Sequence, residues 1–189
     1  MQRKNLTTKE IFSLAFENHK KNNFNVAEKF YKQVLKINPS HFDSIFYLAS
    51  LSAQIKNFDA AKELFEKAIH IKPNYDIAYA NLAAVLKELG KFKEAVNACE
   101  KAILISPKNL EAYHNLALAF QELGEIKKAI NCFDKLSKIQ PNPANAYQNL
   151  GKLYVMLGKR KEAINSYQLA TKHDPKNLSY YYNLSDLDE

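Results

Sequence analysis

Residues 109–141 read NLEAYHNLALAFQELGEIKKAINCFDKLSKIQP, and most of the chain is a set of variations on that stretch. The prolines mark the copying: Pro39, Pro73, Pro107, Pro141 and Pro175 stand 34 residues apart. A fixed period of this size predicts a solenoid, in which each unit buries its apolar face only against its neighbours. Inside the quoted stretch, Tyr113, Leu116, Ala117 and Phe120 form one apolar run at helical spacing, and Ala129, Ile130, Phe133 and Leu136 form a second. Each run stripes one face of a helix. Gly124 lies between them, where a residue in the left-handed region ends the first helix without a Cβ penalty. The unit is therefore expected to be a helical hairpin.

Aligning the copies gives columns with a packing reason. Ala27, Ala61, Ala95, Ala129 and Ala163 form one column, and a methyl repeated there predicts that the two helices of a hairpin approach too closely for anything larger. Leu14, Leu48, Leu82, Leu116, Leu150 and Leu184 form a second column, next to Ala15, Ala49, Ala83, Ala117, Gly151 and Ser185. Large beside small lets ridges enter grooves. Cys99 shares a column with Tyr31, Phe65, Phe133 and Tyr167, which marks it as a core residue, and Cys132 lies one place off that column.

These residues resemble the tetratricopeptide repeat family. The resemblance rests on the 34-residue period, the aromatic-x-x-Leu-Ala/Gly openings (Tyr79, Leu82, Ala83; Tyr113, Leu116, Ala117; Tyr147, Leu150, Gly151), the mid-repeat Gly90, Gly124 and Gly158, the alanine column and the closing proline. It implies an all-α fold, a right-handed superhelical solenoid of antiparallel helix-turn-helix repeats, acting as a protein or peptide scaffold. Five repeats are expected at 8–41, 42–75, 76–109, 110–143 and 144–177, after a polar arm at 1–7 and before a partial sixth repeat or capping helix at 178–189.

The chain of 189 residues carries a net charge of +7, with 12 Lys or Arg against 7 Asp or Glu in residues 1–75 and 15 against 13 in the remainder. Most lysines alternate with carboxylates, as in Lys62, Glu63, Glu66 and Lys67, a pattern of a solvated outer face. Two cysteines are too few for a disulfide framework, and reduced thiols are the economical reading. No run approaches the length of a membrane span and residues 1–22 lack an apolar signal core, so a cytoplasmic protein is expected.

Local punctuation places the helix ends. Thr7 and Glu10 have the spacing of a capping box, Asn22 and Asn23 replace the turn glycine in the first repeat, Asp76 and Asn109 are candidate caps, and Asn142 precedes Pro143 at an expected first helical position. The first helix carries Glu17, Asn18 and Lys21 where later repeats place Leu51 and Ile55, as a terminal cap would. The last segment, LSYYYNLSDLDE, sets Tyr181 and Leu184 in register and then stops. Its Tyr180, Tyr181, Tyr182, Leu184 and Leu187 leave little polar face, so the natural chain is expected to continue, or this end to fray or self-associate.

Chemistry leaves few marks. There is no Gly-rich phosphate loop, His-Glu-x-x-His or Cys-x-x-Cys, and the five histidines occupy five different places in the repeat, so neither catalysis nor a metal or cofactor is expected. Binding leaves more. In the resemblance, the opening helix of each repeat lines the concave groove. One of its columns reads Ser13, Tyr47, Asn81, Asn115, Asn149 and Asn183. Its four amides resemble the asparagine ladder of O-linked N-acetylglucosamine transferase, which implies carboxamides holding an extended peptide backbone; the alternative is that they brace the neighbouring helix. Phe12, Phe16, Phe46 and Tyr47 are candidate anchors near the amino-terminal end, and His114 is a candidate groove-lining side chain. The dicarboxylate clamp of chaperone-binding relatives does not map, because the matching places hold Phe12, Phe46, Ala80, His114, Glu111, Asn115, Asn145 and Asn149 in place of Lys and Arg. A recruiting arm of a longer bacterial enzyme, such as a glycosyltransferase or sulfotransferase, is the alternative function. RNA binding ranks last, since no aromatic-plus-Arg code recurs to read nucleic acid.

Overall fold

The computed structural model describes residues 6–188, so residues 1–5 of the expected polar arm and the final Glu189 lie outside the described residues. Among those described, eleven α-helices and no strands are present, an all-α helical repeat. They divide into two compact units, residues 1–91 and 92–189.

The first unit holds α1 (Thr8–Lys20), α2 (Phe24–Ile37), α3 (Phe42–Gln54), α4 (Phe58–Ile71) and α5 (Asp76–Glu88), each packed on the next. The second holds α6 (Phe92–Ile105), α7 (Leu110–Glu122), α8 (Ile126–Ile139), α9 (Ala144–Met156), α10 (Arg160–His173) and α11 (Leu178–Asp188), again packed in sequence. Contacts therefore run mainly between consecutive helices, with α1–α3 and α3–α5 also touching in the first unit, as stacked repeats require.

All five residues of the alanine column are fully buried, and so are Ala15, Ala49, Ala83 and Ala117 of the small column. Gly151 shows what the fifth copy of that column does differently. A Cβ there would lie 2.5 Å from Cε1 of Tyr167, and the neighbouring Cδ1 and Cζ are also under 3 Å away, so the phenol ring occupies the space of a methyl group. The sixth copy, Ser185, is exposed and donates its hydroxyl to the Tyr182 carbonyl.

The turns inside the hairpins follow the same logic with one exception. At Gly124 (φ 74°) the chain takes the left-handed conformation and closes with Gly124 N–H to Gln121 O and Glu125 N–H to Phe120 O. Asn22 takes that role in the first repeat (φ 60°), as expected from its side chain. In the second repeat the left-handed residue is Lys56 (φ 62°), for which the sequence offers no local signal.

Of the caps, the Thr7–Glu10 box forms with both reciprocal bonds, and the Asn109 Oδ1 accepts from Ala112 N–H at 2.8 Å. Two others are corrected. Tyr75 occupies the N-cap position of α5, and Asp76 is the first helical residue. Pro143 is the N-cap of α9 in place of its first helical residue, while Asn142 Oδ1 accepts from Ala144 N–H one step earlier than the expected geometry.

At the carboxyl end the tyrosine in register with Tyr79, Tyr113 and Tyr147 is not the one that anchors α11. Tyr180, in the column of Ser44, Ala78, Ala112 and Ala146, is buried against Ala144 and Ala170 and donates its hydroxyl to Asn145 Oδ1 at 3.0 Å. Leu178, Tyr181 and Tyr182 are exposed.

Candidate functional site

The first unit carries a cluster of aromatic side chains on α1 and α3. Phe12 and Phe16 follow one another by a helical turn on α1, and their rings stack at 6.2 Å. Tyr47 of α3 leans against both, 4.8 Å from Phe16 and 6.1 Å from Phe12. None of these three rings is fully buried, and each retains a solvent-facing portion. Beneath them lies Tyr31, packed with Ala15, Ala27, Leu48 and Leu51, so the partly exposed rings rest on a rigid floor. Burial, reinforced by the neighbouring Tyr47 hydroxyl, pushes the Tyr31 phenol far above its ordinary range and keeps it a neutral donor.

His19 ties the aromatic floor to the polar wall. Its Nε2 stands 3.1 Å from Gln54 Oε1, which accepts, and its Nδ1 therefore accepts from the Tyr31 hydroxyl at 3.3 Å. This chain fixes the Gln54 carboxamide with its nitrogen directed away from His19. Lys20 Nζ lies 4.5 Å above the centre of the Phe16 ring, a cation held at the rim by the ring's negative face.

Two open pockets adjoin along this surface. One, of about 400 Å³, is lined by Phe16, His19, Lys20, Asn22, Tyr47, Ser50 and Gln54. The other, of about 270 Å³, is lined by Ser50, Ala53, Gln54, Phe65, Asn81, Ala84 and Val85. They share Ser50 and Gln54, so a groove runs from the α1 aromatics across α3 to Asn81 on α5. Neither pocket has a carboxylate in its lining, and the Asn81 amide makes no hydrogen bond among the described residues.

Of the predicted anchors, Phe12, Phe16 and Tyr47 come together here. Phe46 is a correction: at 7% exposure it belongs to a core of Phe42, Phe65 and Tyr75. It lies one residue before Tyr47, and that step on the helix turns it from the open side to the α3–α4 interface. His19 and Ser50 were missed in the sequence because their columns mix residue types, and Gln54 because its column of Lys20, Glu88 and Glu122 reads as an ordinary solvated face; His19 stands in the polar run of residues 17–21, where nothing sets it apart.

The second unit treats its amides differently. Asn115 is 4% exposed, which corrects its expected place on an open ladder. Asn149 Nδ2 donates to Asn145 O at 2.9 Å on its own helix and not to the neighbouring one. Asn183 on α11 is half-buried. His114 meets Phe133 edge to face, with ring centres 5.9 Å apart, and lines a pocket of about 210 Å³ with Leu110, Glu111, Leu136, Gln140, Asn145 and Ala146. The buried Nε2 of Gln140 has no hydrogen-bond partner among the described residues.

Cys99 and Cys132 are both buried free thiols, and burial raises Cys132 to about 11. Among the described residues no cluster of His, Cys, Asp and Glu has metal-ligand geometry, and no helix is long and apolar enough to cross a membrane.

Stacked hairpins with open, aromatic- and amide-lined grooves define a protein-interaction scaffold. Tetratricopeptide repeat profiles match residues 19–86, 86–150 and 144–177, and the chain belongs to that family. No curated protein gives a match. Among solved structures, the crystal structure of MamA protein is 26% identical, covers 92% of this chain and 94% of its own, and superposes with a TM-score of 0.83. MamA from Desulfovibrio magneticus RS-1 is 19% identical, with 90% and 96% covered and a TM-score of 0.84. YrrB, described as a TPR protein with an unusual peptide-binding site, is 20% identical, with 93% and 91% covered and a TM-score of 0.78. The last two likenesses concern the fold.

Proposed function

We propose that the α1–α3–α5 groove of the first unit binds an extended peptide. The observation that carries the reading is the continuity of the two pockets through Ser50 and Gln54, with open aromatic rings at one end and an unpartnered amide at the other. Phe16 and Tyr47 supply anchoring area at low conformational cost, because each ring is already held by its neighbours. Gln54 Nε2 and the Asn81 amide supply donors and an acceptor for a peptide backbone. Lys20, the only ionic side chain in either lining, favours a peptide carboxylate at the aromatic end. A peptide-binding site in the related fold of YrrB is consistent with this reading.

Amides alone make weak sites. A net ~0.5–1.5 kcal/mol per hydrogen bond gives Gln54 and Asn81 too little to offset the ordering of a peptide, so the aromatic anchors must carry the affinity. The test is selection from a displayed random-peptide library on the full chain, followed by calorimetry with the selected peptide. Tyr47→Ala is expected to weaken binding about tenfold or more, and Asn81→Ala about threefold to tenfold, with helicity unchanged. Unchanged affinity in both variants would place the site elsewhere. The exposed Leu178, Tyr181 and Tyr182 support a secondary reading of weak self-association through α11, which concentration-dependent light scattering checks.

A further inference from the structure

The fifth repeat departs from its siblings at two positions, which flank the turn between α9 and α10. The column Lys20, Gln54, Glu88, Glu122 is polar in four repeats and exposed in all of them, yet its fifth member is Met156, 59% exposed. Its exposure is therefore a property of the column and not of a missing neighbour. The column Phe24, Phe58, Phe92, Ile126 is apolar and half-buried, yet its fifth member is the exposed Arg160. The hairpin has exchanged a solvent-facing polar residue for an apolar one and a packing residue for a cation.

Leu157, which follows Met156 in the chain, lines a recess of about 390 Å³ with the turn of the fourth repeat (residues 124–128), Ile126 and Leu157 forming its apolar part. Val155, Met156 and Leu157 are consecutive and all exposed. The two turns, residues 124–128 and 158–162, hold five cations (Lys127, Lys128, Lys159, Arg160, Lys161) against Glu125 and Glu162. Lys128 pairs with Glu125, and Lys159 lies 3.6 Å from Glu162. Both carboxylates are thus engaged, while the exposed Lys127, Arg160 and Lys161 form no ion pair among the described residues.

We propose that this edge is a second docking surface, separate from the groove of the first unit, for a partner segment that sets one large apolar side chain among acidic residues. The recess takes the apolar side chain and the uncompensated cations take the carboxylates, which steer the encounter and fix its register. A concave apolar recess fits an inserted side chain better than it fits a flat lipid headgroup layer, which would leave the recess unfilled. Charge complementarity selects the sign of the partner, since an acidic segment meets no unpaired carboxylate on either turn.

The test uses the full chain and fluorescence anisotropy with a pool of labelled peptides that each carry one Phe or Leu among Asp and Glu. A control pool has Ser in place of the apolar residue, and phosphatidylserine–phosphatidylcholine vesicles form a third arm. The apolar-acidic pool is expected to bind, the Ser pool to bind at least about tenfold more weakly, and vesicles not to compete. Arg160→Glu with Lys161→Glu is expected to cost about tenfold or more, and Met156→Gln, which restores the residue type of Gln54, about threefold to tenfold. Phe16→Ala in the first unit should leave this binding unchanged. Equal binding of the Ser pool, no binding of either pool, binding to vesicles in place of peptides, or sensitivity to Phe16→Ala without sensitivity at Arg160 and Lys161 would each overturn the proposal. Matching thermal melts for the variants exclude unfolding as the cause of a loss.

Discussion

Replacing Ser44 by Ala should stabilise the protein. Ser44 is the third residue of α3, fully buried, and its hydroxyl has no hydrogen-bond partner among the described residues. Its counterparts in the next three repeats, Ala78, Ala112 and Ala146, are buried at the same helical position without a polar atom. An unpaired buried hydroxyl costs ~1–3 kcal/mol by the measure of protein substitutions, and Ala exceeds Ser in helix propensity by up to ~0.5 kcal/mol. Both effects favour Ala, and the space left by one oxygen offsets a minor part. The net expectation is about 1–2 kcal/mol of added stability, a rise of roughly 2–8 °C in the melting midpoint for a chain of this length. The backbone contribution is controlled, because Ser44 N–H is capped by His41 Nδ1 at 3.2 Å as Ala112 N–H is by Asn109. The mirror variant Ala112→Ser places a hydroxyl in an equivalent fully buried position and should cost about the same amount. Circular dichroism melts, with hydrogen exchange on α3 and α7 to localise the change, give the readout. If Ser44→Ala lowered stability, the hydroxyl would have a bonding partner and the reasoning would fail.

Ala129→Leu should overpack the α7–α8 contact and cost ~1–3 kcal/mol; a melt equal to the parent's would sink the assignment of this column to the closest helix approach. Lys56→Gly relieves a side chain held at φ 62° and should add about 1 kcal/mol in denaturant titrations, with no gain expected from Lys91→Gly at a turn already served by Gly90. Alkaline pH should destabilise the fold. Cys132 is raised from 9.0 to about 11, and the Tyr31, Tyr75 and Tyr167 phenols are raised by burial as well. Between pH 9 and 11 the unfolded chain gives up the Cys132 proton that the native state retains, so the melting midpoint falls as pH rises through that window. Cys132→Ala should flatten the fall, and an identical pH profile in that variant would refute the linkage.

The repeat fold is legible in the sequence because every essential contact is made with the next helix along the chain. A column such as Ala27 to Ala163 meets the same local surroundings five times, so periodicity alone reports its burial. The same reasoning marked the Asn22–Asn23 pair as the turn, of which Asn22 takes the left-handed conformation, and the Thr7–Glu10 box, both matters of neighbouring backbone geometry. Which member of a column faces a groove is another kind of question. Phe46 and Tyr47 are adjacent, equally aromatic and on one helix, yet the first enters the core of Phe42, Phe65 and Tyr75 while the second stays open beside Phe16. Four asparagines of one column look alike in sequence, but Asn115 is buried, Asn149 bonds its own helix and Asn81 lines an open pocket. Tyr180 displaced Tyr181 as the anchor of α11 because Asn145, a full repeat away, offered its hydroxyl an acceptor. The sequence by itself determined the period, the helices and the small-residue seams, since those depend on spacing along one chain. Only the tertiary structure decided which side chains remain available to a partner, because availability depends on what the neighbouring hairpin has already covered or bonded.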